Sequence, residues 1–123
     1  MNPPKAVSLF AGIGGICMGF KQAGFQIVWA NEKDPAACRT YRYNFGNDYL
    51  VEGDIRKIDK SSIPSADILI AGFPCQSFSI VAQNPPRLGI KDDQGMLFFE
   101  MCRILRERQP KCFIAENVKG ILT

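Results

Sequence analysis

The chain contains no histidine, so no imidazole can serve as general base or activate a nucleophile. Its five cysteines, Cys17, Cys38, Cys75, Cys102 and Cys112, are odd in number and nowhere form a C-x-x-C pair. That spacing disfavours both a disulfide framework and a zinc site, and it fits a reducing compartment. No apolar run approaches the roughly 18 residues of a membrane span, and no signal-peptide pattern opens the sequence. A cytoplasmic protein is the expectation. Repeats, low-complexity tracts and linkers are missing too. The net charge of +3 permits a polyanionic partner without arguing for one. What remains is 123 residues, 46% hydrophobic and 22% charged, which suits one globular domain or part of one.

Short apolar runs alternate with helical patterns. Residues 6–10 stop at glycines, as a buried parallel strand does. Residues 14–23 read as a helix closed by Gly24, and residues 26–30 as a second strand. Asp34 followed by Pro35 is an N-cap with proline at the first helical position, and Gly46 marks that helix's end. Residues 49–52 form a third strand, residues 67–71 a fourth, and one helical turn is expected in the polar connection between them. Residues 80–94 have two prolines, mixed charge and no periodicity, so a long mobile loop is expected there. Beyond Gly95, Leu97, Phe98, Met101, Ile104 and Leu105 mark one helix face, with Glu100, Arg103, Arg106 and Glu107 expected to face water. Residues 112–116 give a fifth strand.

This alternation implies an α/β fold, a doubly wound parallel sheet of order 3-2-1-4-5 spanning residues 1–123, with its switch point between strands one and four. Ligands of such sheets bind at the carboxyl ends of the strands. At those ends stand Phe10 to Gly15, Asn31-Glu32, Gly53-Asp54, Phe73-Pro74-Cys75-Gln76 and Glu116-Asn117. The glycine turn lets a backbone approach a ligand closely. It departs from G-x-G-x-x-G because Cys17 replaces the third glycine, which favours a nucleoside ligand over a pyrophosphate. Glu32 can accept from ribose hydroxyls and Asp54 from an adenine amino group, although either alone reads equally well as a solvated or turn-capping carboxylate. Cys75 lies in a polar turn rather than an apolar stripe. At an ordinary pKa of about 8.5 only a few per cent of its thiol is ionised at pH 7. Glu116 reads as half of a surface ion pair or as a proton donor to a substrate ring. The other four cysteines read as packing.

The segments "FAGIGG", "NEKD", "GDI", "GFPCQSFS" and "AENV" occur in this order. In order and approximate spacing they resemble the DNA (cytosine-5)-methyltransferase family, in particular the bacterial restriction-modification enzymes, over nearly the whole chain. The resemblance implies a Rossmann-like S-adenosylmethionine-dependent methyltransferase fold, and a soluble bacterial enzyme acting on double-stranded DNA without a metal. It makes Cys75 the nucleophile towards carbon 6 of a flipped cytosine, and Glu116 the contact to N3 and the amino group. Phe10, Gly12, Ile13 and Gly14 would line the cofactor site. Glu32 would hold the ribose, Asp54 and Ile55 the adenine, and Pro74 would lie between cofactor and base. The loop 77–94 would close over DNA.

Lys33 stands where many relatives carry an apolar or aromatic residue, and Gln94 where arginine is common. The family's later elements, its target-recognition region among them, are expected to lie outside residues 1–123. The chain therefore reads as the first half of a catalytic domain. A non-catalytic adenosine-binding module, or a split subunit needing a complementing chain or self-association, is the alternative. A dehydrogenase is the rival from another class, opposed by the missing glycine and the Pro-Cys-Gln turn.

Overall fold

A computed structural model describes residues 2–72 and 97–116. Five parallel strands form one sheet of order β3-β2-β1-β4-β5. They are β1 (Lys5–Leu9), β2 (Gln26–Glu32), β3 (Leu50–Glu52), β4 (Ile68–Ala71) and β5 (Cys112–Ala115). Among the described residues three α-helices connect them: α1 (Gly15–Gln22), α2 (Pro35–Phe45) and α3 (Leu97–Arg108). The expected order is the observed one, and each strand lies within two residues of its expected bounds.

Alternate side chains divide two cores. Val7 and Leu9 of β1 join Leu69 and Ala71 of β4 on one face, under Met101 and Ile104 of α3. Ala6, Ile68 and Ile70 point to the other face, where Cys17 of α1 and Cys38 and Tyr41 of α2 cover them. Period two on a sheet buried on both sides produces this split. A register shift between β1 and β2 pairs Ala6 with Ile27 but Val7 with Trp29. The bulge at Val28 rotates Trp29 into the α3-side core, while Ile27 and Ala30 stay with the other.

The start of α2 is locally encoded. Asp34 Oδ2 accepts from the Ala37 N–H at 3.1 Å, Pro35 takes the position whose N–H is dispensable, and Gly46 ends the helix at φ 83°. The β3–β4 connection holds two 3-10 turns, Ile55–Lys57 and Lys60–Ser62, rather than one helical turn. Asp54 and Asp59 cap them through the N–H groups of Arg56 and Ser61.

Two expectations need correction. Glu100 does not face water; it is buried on α3 beside Met101, because Lys60 from the second 3-10 turn reaches it. Cys112 is exposed on β5 rather than packed, whereas Cys17 and Cys38 are buried as expected.

Among the described residues β5 pairs with β4 alone, and all four of its residues are exposed, Phe113 and Ile114 to 53% and 51%. Unpaired backbone groups beside exposed apolar side chains template further strand pairing. Residues 1–123 expressed alone are therefore expected to self-associate, seen as a concentration-dependent mass in light scattering. A monodisperse monomer at high concentration would show that this edge is covered.

Candidate active site

The carboxyl ends of the strands build a rim in two halves. The first is organised by one carboxylate. Leaving β1, Phe10 takes φ 54° and Gly12 φ 60°, a left-handed conformation that is costly for phenylalanine and nearly free for glycine. Ala11 donates to the Asn31 carbonyl and Gly14 to the Ala11 carbonyl, closing the turn. Glu32 Oε1 then accepts from the Gly12 N–H at 2.8 Å, while Oε2 accepts from Lys33 N and Asp34 N, also at 2.8 Å. Three of roughly four acceptor sites of this carboxylate are thus filled by backbone. Glu32 ties the glycine turn to the end of β2, a role that residue spacing did not disclose.

Asn31, wholly buried, donates through Nδ2 to the carbonyls of Val51 (2.8 Å) and Gly53 (3.0 Å). The Gly53 N–H returns a bond to the Glu32 carbonyl. These bonds deliver Asp54 to the rim beside Glu32. Both Asp54 oxygens accept from the Arg56 guanidinium, at 2.7 to 3.1 Å, and Lys33 Nζ lies 3.8 Å away. The Arg56 side-chain bonds, above all, hold the Asp54 carboxyl well below the usual carboxylate range. Lys33 thus faces the Asp54 carboxylate, and neither this contact nor Arg56 was anticipated.

Not every expected cofactor residue is open. Ile13 is 60% exposed, whereas Ile55 is buried in the α3-side core with Trp29 and Ile63. Gly14 has φ 102°, and a Cβ there would overlap the Phe45 ring, so α1–α2 packing requires this glycine independently of any ligand. At Gly12 a Cβ would meet nothing within 4 Å; backbone conformation, not crowding, demands that one. Cys38 donates to the Glu32 carbonyl at 3.4 Å, and burial, followed by the charge of Glu52, pushes its thiol up to about 11. It is no nucleophile at neutral pH.

The second half lies across β1. Ala71 of β4 pairs with Ala115 of β5, and the Glu116 N–H donates to the Ala71 carbonyl at 2.8 Å. The Glu116 side chain leans over Gly72: a Cβ there would sit 3.7 Å from Glu116 Oε2 and 3.1 Å from Ile16 Cδ1. It is Ile16, not the carboxylate, that a side chain at Gly72 would crowd, and the carboxylate stands beside the strand end that leads, three residues on, to Cys75. Pro74, Cys75 and the expected loop 77–94 lie outside the described residues. Among the described residues no cluster of three or more Cys, Asp or Glu residues could hold a metal ion.

The model of the C-5 cytosine-specific DNA methylases matches residues 5–123. The chain belongs to that family. Relatives similar to it include the type II methyltransferase M.NgoFVII of Neisseria gonorrhoeae, 46% identical over 99% of this chain and 32% of the relative. Another is M1.ScrFI of Lactococcus lactis subsp. cremoris, 48% identical over 97% of this chain and 30% of the relative. Among solved structures, a DNMT2 mutant of Spodoptera frugiperda superposes with a TM-score of 0.72 at 27% identity, covering 97% of this chain and 37% of its own. The chain spans about a third of the length of the curated relatives it matches. No helix among the described residues is long and apolar enough to cross a membrane.

Proposed function

We propose that the chain contributes the cofactor pocket and the nucleophile of an enzyme that methylates carbon 5 of cytosine in double-stranded DNA, with S-adenosylmethionine as donor. The observation that carries this reading is the Glu116 carboxylate over Gly72, at the paired ends of β4 and β5, in a chain of the C-5 cytosine methylase family. The other half of the rim fits an adenosine. Its hydroxyls and amino group are donors; Glu32 keeps one acceptor site for a hydroxyl beside the open Gly12 turn, and the Asp54 carboxylate stands at the adjoining strand end. When bound, S-adenosylmethionine supplies an electrophilic methyl group on its sulfonium.

The chain's own residues do the rest. The Cys75 thiolate adds to carbon 6 of an extruded cytosine, forming a C–S bond and pushing electron density onto carbon 5. Glu116, in contact with N3 and the amino group, stabilises the charge that this addition sends into the ring. Once carbon 5 carries the methyl group, loss of its proton to a base restores the 5,6 double bond and expels the thiolate. Polarisation of the ring by a carboxyl needs no imidazole, and these 123 residues contain none. Pro74 is assigned to the boundary between cofactor and base, and Phe10, Gly12, Ile13, Gly14 and Ile55 to the pocket wall or its support. We place the DNA contacts that select a site in elements of the relatives beyond the matched third. In this reading a complementing segment or chain covers β5.

Titration calorimetry tests the pocket. S-adenosylmethionine is expected to bind and NAD not to compete, the third glycine of a pyrophosphate turn being absent. Glu32→Ala removes charge-assisted bonds of about 1.5–3 kcal/mol and frees the Gly12 turn, so affinity is expected to fall roughly 10- to 150-fold. Unchanged affinity would remove Glu32 from the cofactor site.

A further inference from the structure

One buried ion pair has no part in the site as built so far. Lys60 and Glu100 are 7% and 8% exposed, with Lys60 Nζ 3.0 Å from Glu100 Oε2. Lys60 Nζ also donates to the carbonyls of Ile55 (3.1 Å) and Ile58 (3.4 Å). Two of the three ammonium N–H groups thus have carbonyl acceptors, and Glu100 Oε2 meets the charge as an ion pair without hydrogen-bond geometry. Glu100 is held in turn by Arg103, at 3.3 Å from Oε1. The two carbonyls bracket the 3-10 turn Ile55–Lys57, the turn that Asp54 caps. Beneath it, the Ile55 side chain packs in the same core as Met101 and Ile104 of α3. The turn is therefore gripped at its backbone by Lys60 and at its side chain by α3.

Stability alone does not account for charges in this place, because well-packed apolar residues of similar volume commonly match or exceed a buried pair. Apolar replacements would fill the space but leave the Ile55 and Ile58 carbonyls without Lys60 Nζ. We propose that Lys60 and Glu100 are positioning residues for the cofactor, fixing the 3-10 turn so that the Asp54 carboxylate stands where an adenine amino group meets it. The proposal rests on the adenosine reading of Asp54 and adds the helix α3 to what determines affinity. Asp54 reaches adenine; Lys60 and Glu100 act through it.

The test separates positioning from packing. Lys60→Met leaves Glu100 buried and unpaired, and its melting temperature is expected to fall. The double variant Lys60→Met/Glu100→Leu is expected to recover that loss. It should nevertheless bind S-adenosylmethionine about tenfold more weakly, as when a turn keeps its binding conformation only a tenth of the time. Amide hydrogen exchange over residues 55–58 should quicken by at least that factor, because it follows the open population, which rises from a minor to the major state. Glu100→Gln, which keeps shape and one acceptor, should show the same two changes to a smaller degree and serves if the double variant does not fold. A folded variant with wild-type affinity and wild-type exchange would overturn the proposal and leave the pair a packing element. A wild-type chain that fails to bind S-adenosylmethionine, while exchange in the variant still quickens, would instead overturn the adenine reading of Asp54 and the cofactor half of the proposal with it.

Discussion

Cys75→Ala is expected to abolish both methyl transfer and the covalent adduct with DNA containing 5-fluorocytosine, in an enzyme that includes the elements of the relatives beyond the matched third. The fluorine at carbon 5 cannot leave as a proton does, so the C–S bond, once formed and followed by methyl transfer, has no route to elimination. Wild-type enzyme should run on a denaturing gel as a protein–DNA species, and Cys75→Ala as free protein. Among the described residues no other thiol competes for the role. Cys17 and Cys38 are buried and Cys102 is half-buried. Cys112 is exposed but lies on β5, at the strand's start and away from the carboxyl rim. Persistence of the adduct in Cys75→Ala would require a different nucleophile and would dismantle the mechanism.

Glu116→Gln is expected to slow the single-turnover rate by roughly 10²- to 10⁴-fold, the usual worth of a positioned acid or base. Glutamine keeps the size of the side chain and its place over Gly72, but it has neither the charge nor the proton of a carboxyl. Cofactor affinity should be nearly unchanged, because Glu116 lies across β1 from Glu32 and Asp54 in the strand order. Rapid-quench measurement with saturating cofactor and DNA reads this directly. A rate within a factor of a few of wild type would return Glu116 to the status of a surface carboxylate.

Local chemistry made much of this molecule legible in its sequence. The Asp34-Pro35 start and Gly46 stop of α2 are backbone rules that need no tertiary context, and they hold as expected. The strand order followed from alternation and crossover handedness. Longer-range pairing is where local pattern lost its grip. β2 runs on through Asn31 and Glu32 because β3 pairs with both, which no property of residues 26–32 announces. Glu100 looked solvent-facing because its partner Lys60 belongs to a turn far earlier in the chain. The site residues Glu32 and Asp54 stand on the expected rim. Their bonds to Gly12 N and to the Arg56 guanidinium are tertiary facts that spacing conceals. Gly14 was readable as a special glycine, but its reason, the Phe45 ring, was not.

The parallel register also dictates when the site can exist. No neighbouring pair of strands in this sheet is joined by a hairpin, and β1 and β4 are separated in the chain by β2 and β3, so each pairing must close a long loop before any hydrogen bond repays the lost entropy. The Gly12–Glu32 bond needs only β1 and β2, whereas Glu116 reaches Gly72 only once β5 has docked on β4. On a ribosome, β5 is the last of the five strands to emerge. Under the proposed function, the half of the rim assigned to adenosine can therefore form during synthesis while Glu116 is still missing, so that cofactor binding would precede catalysis.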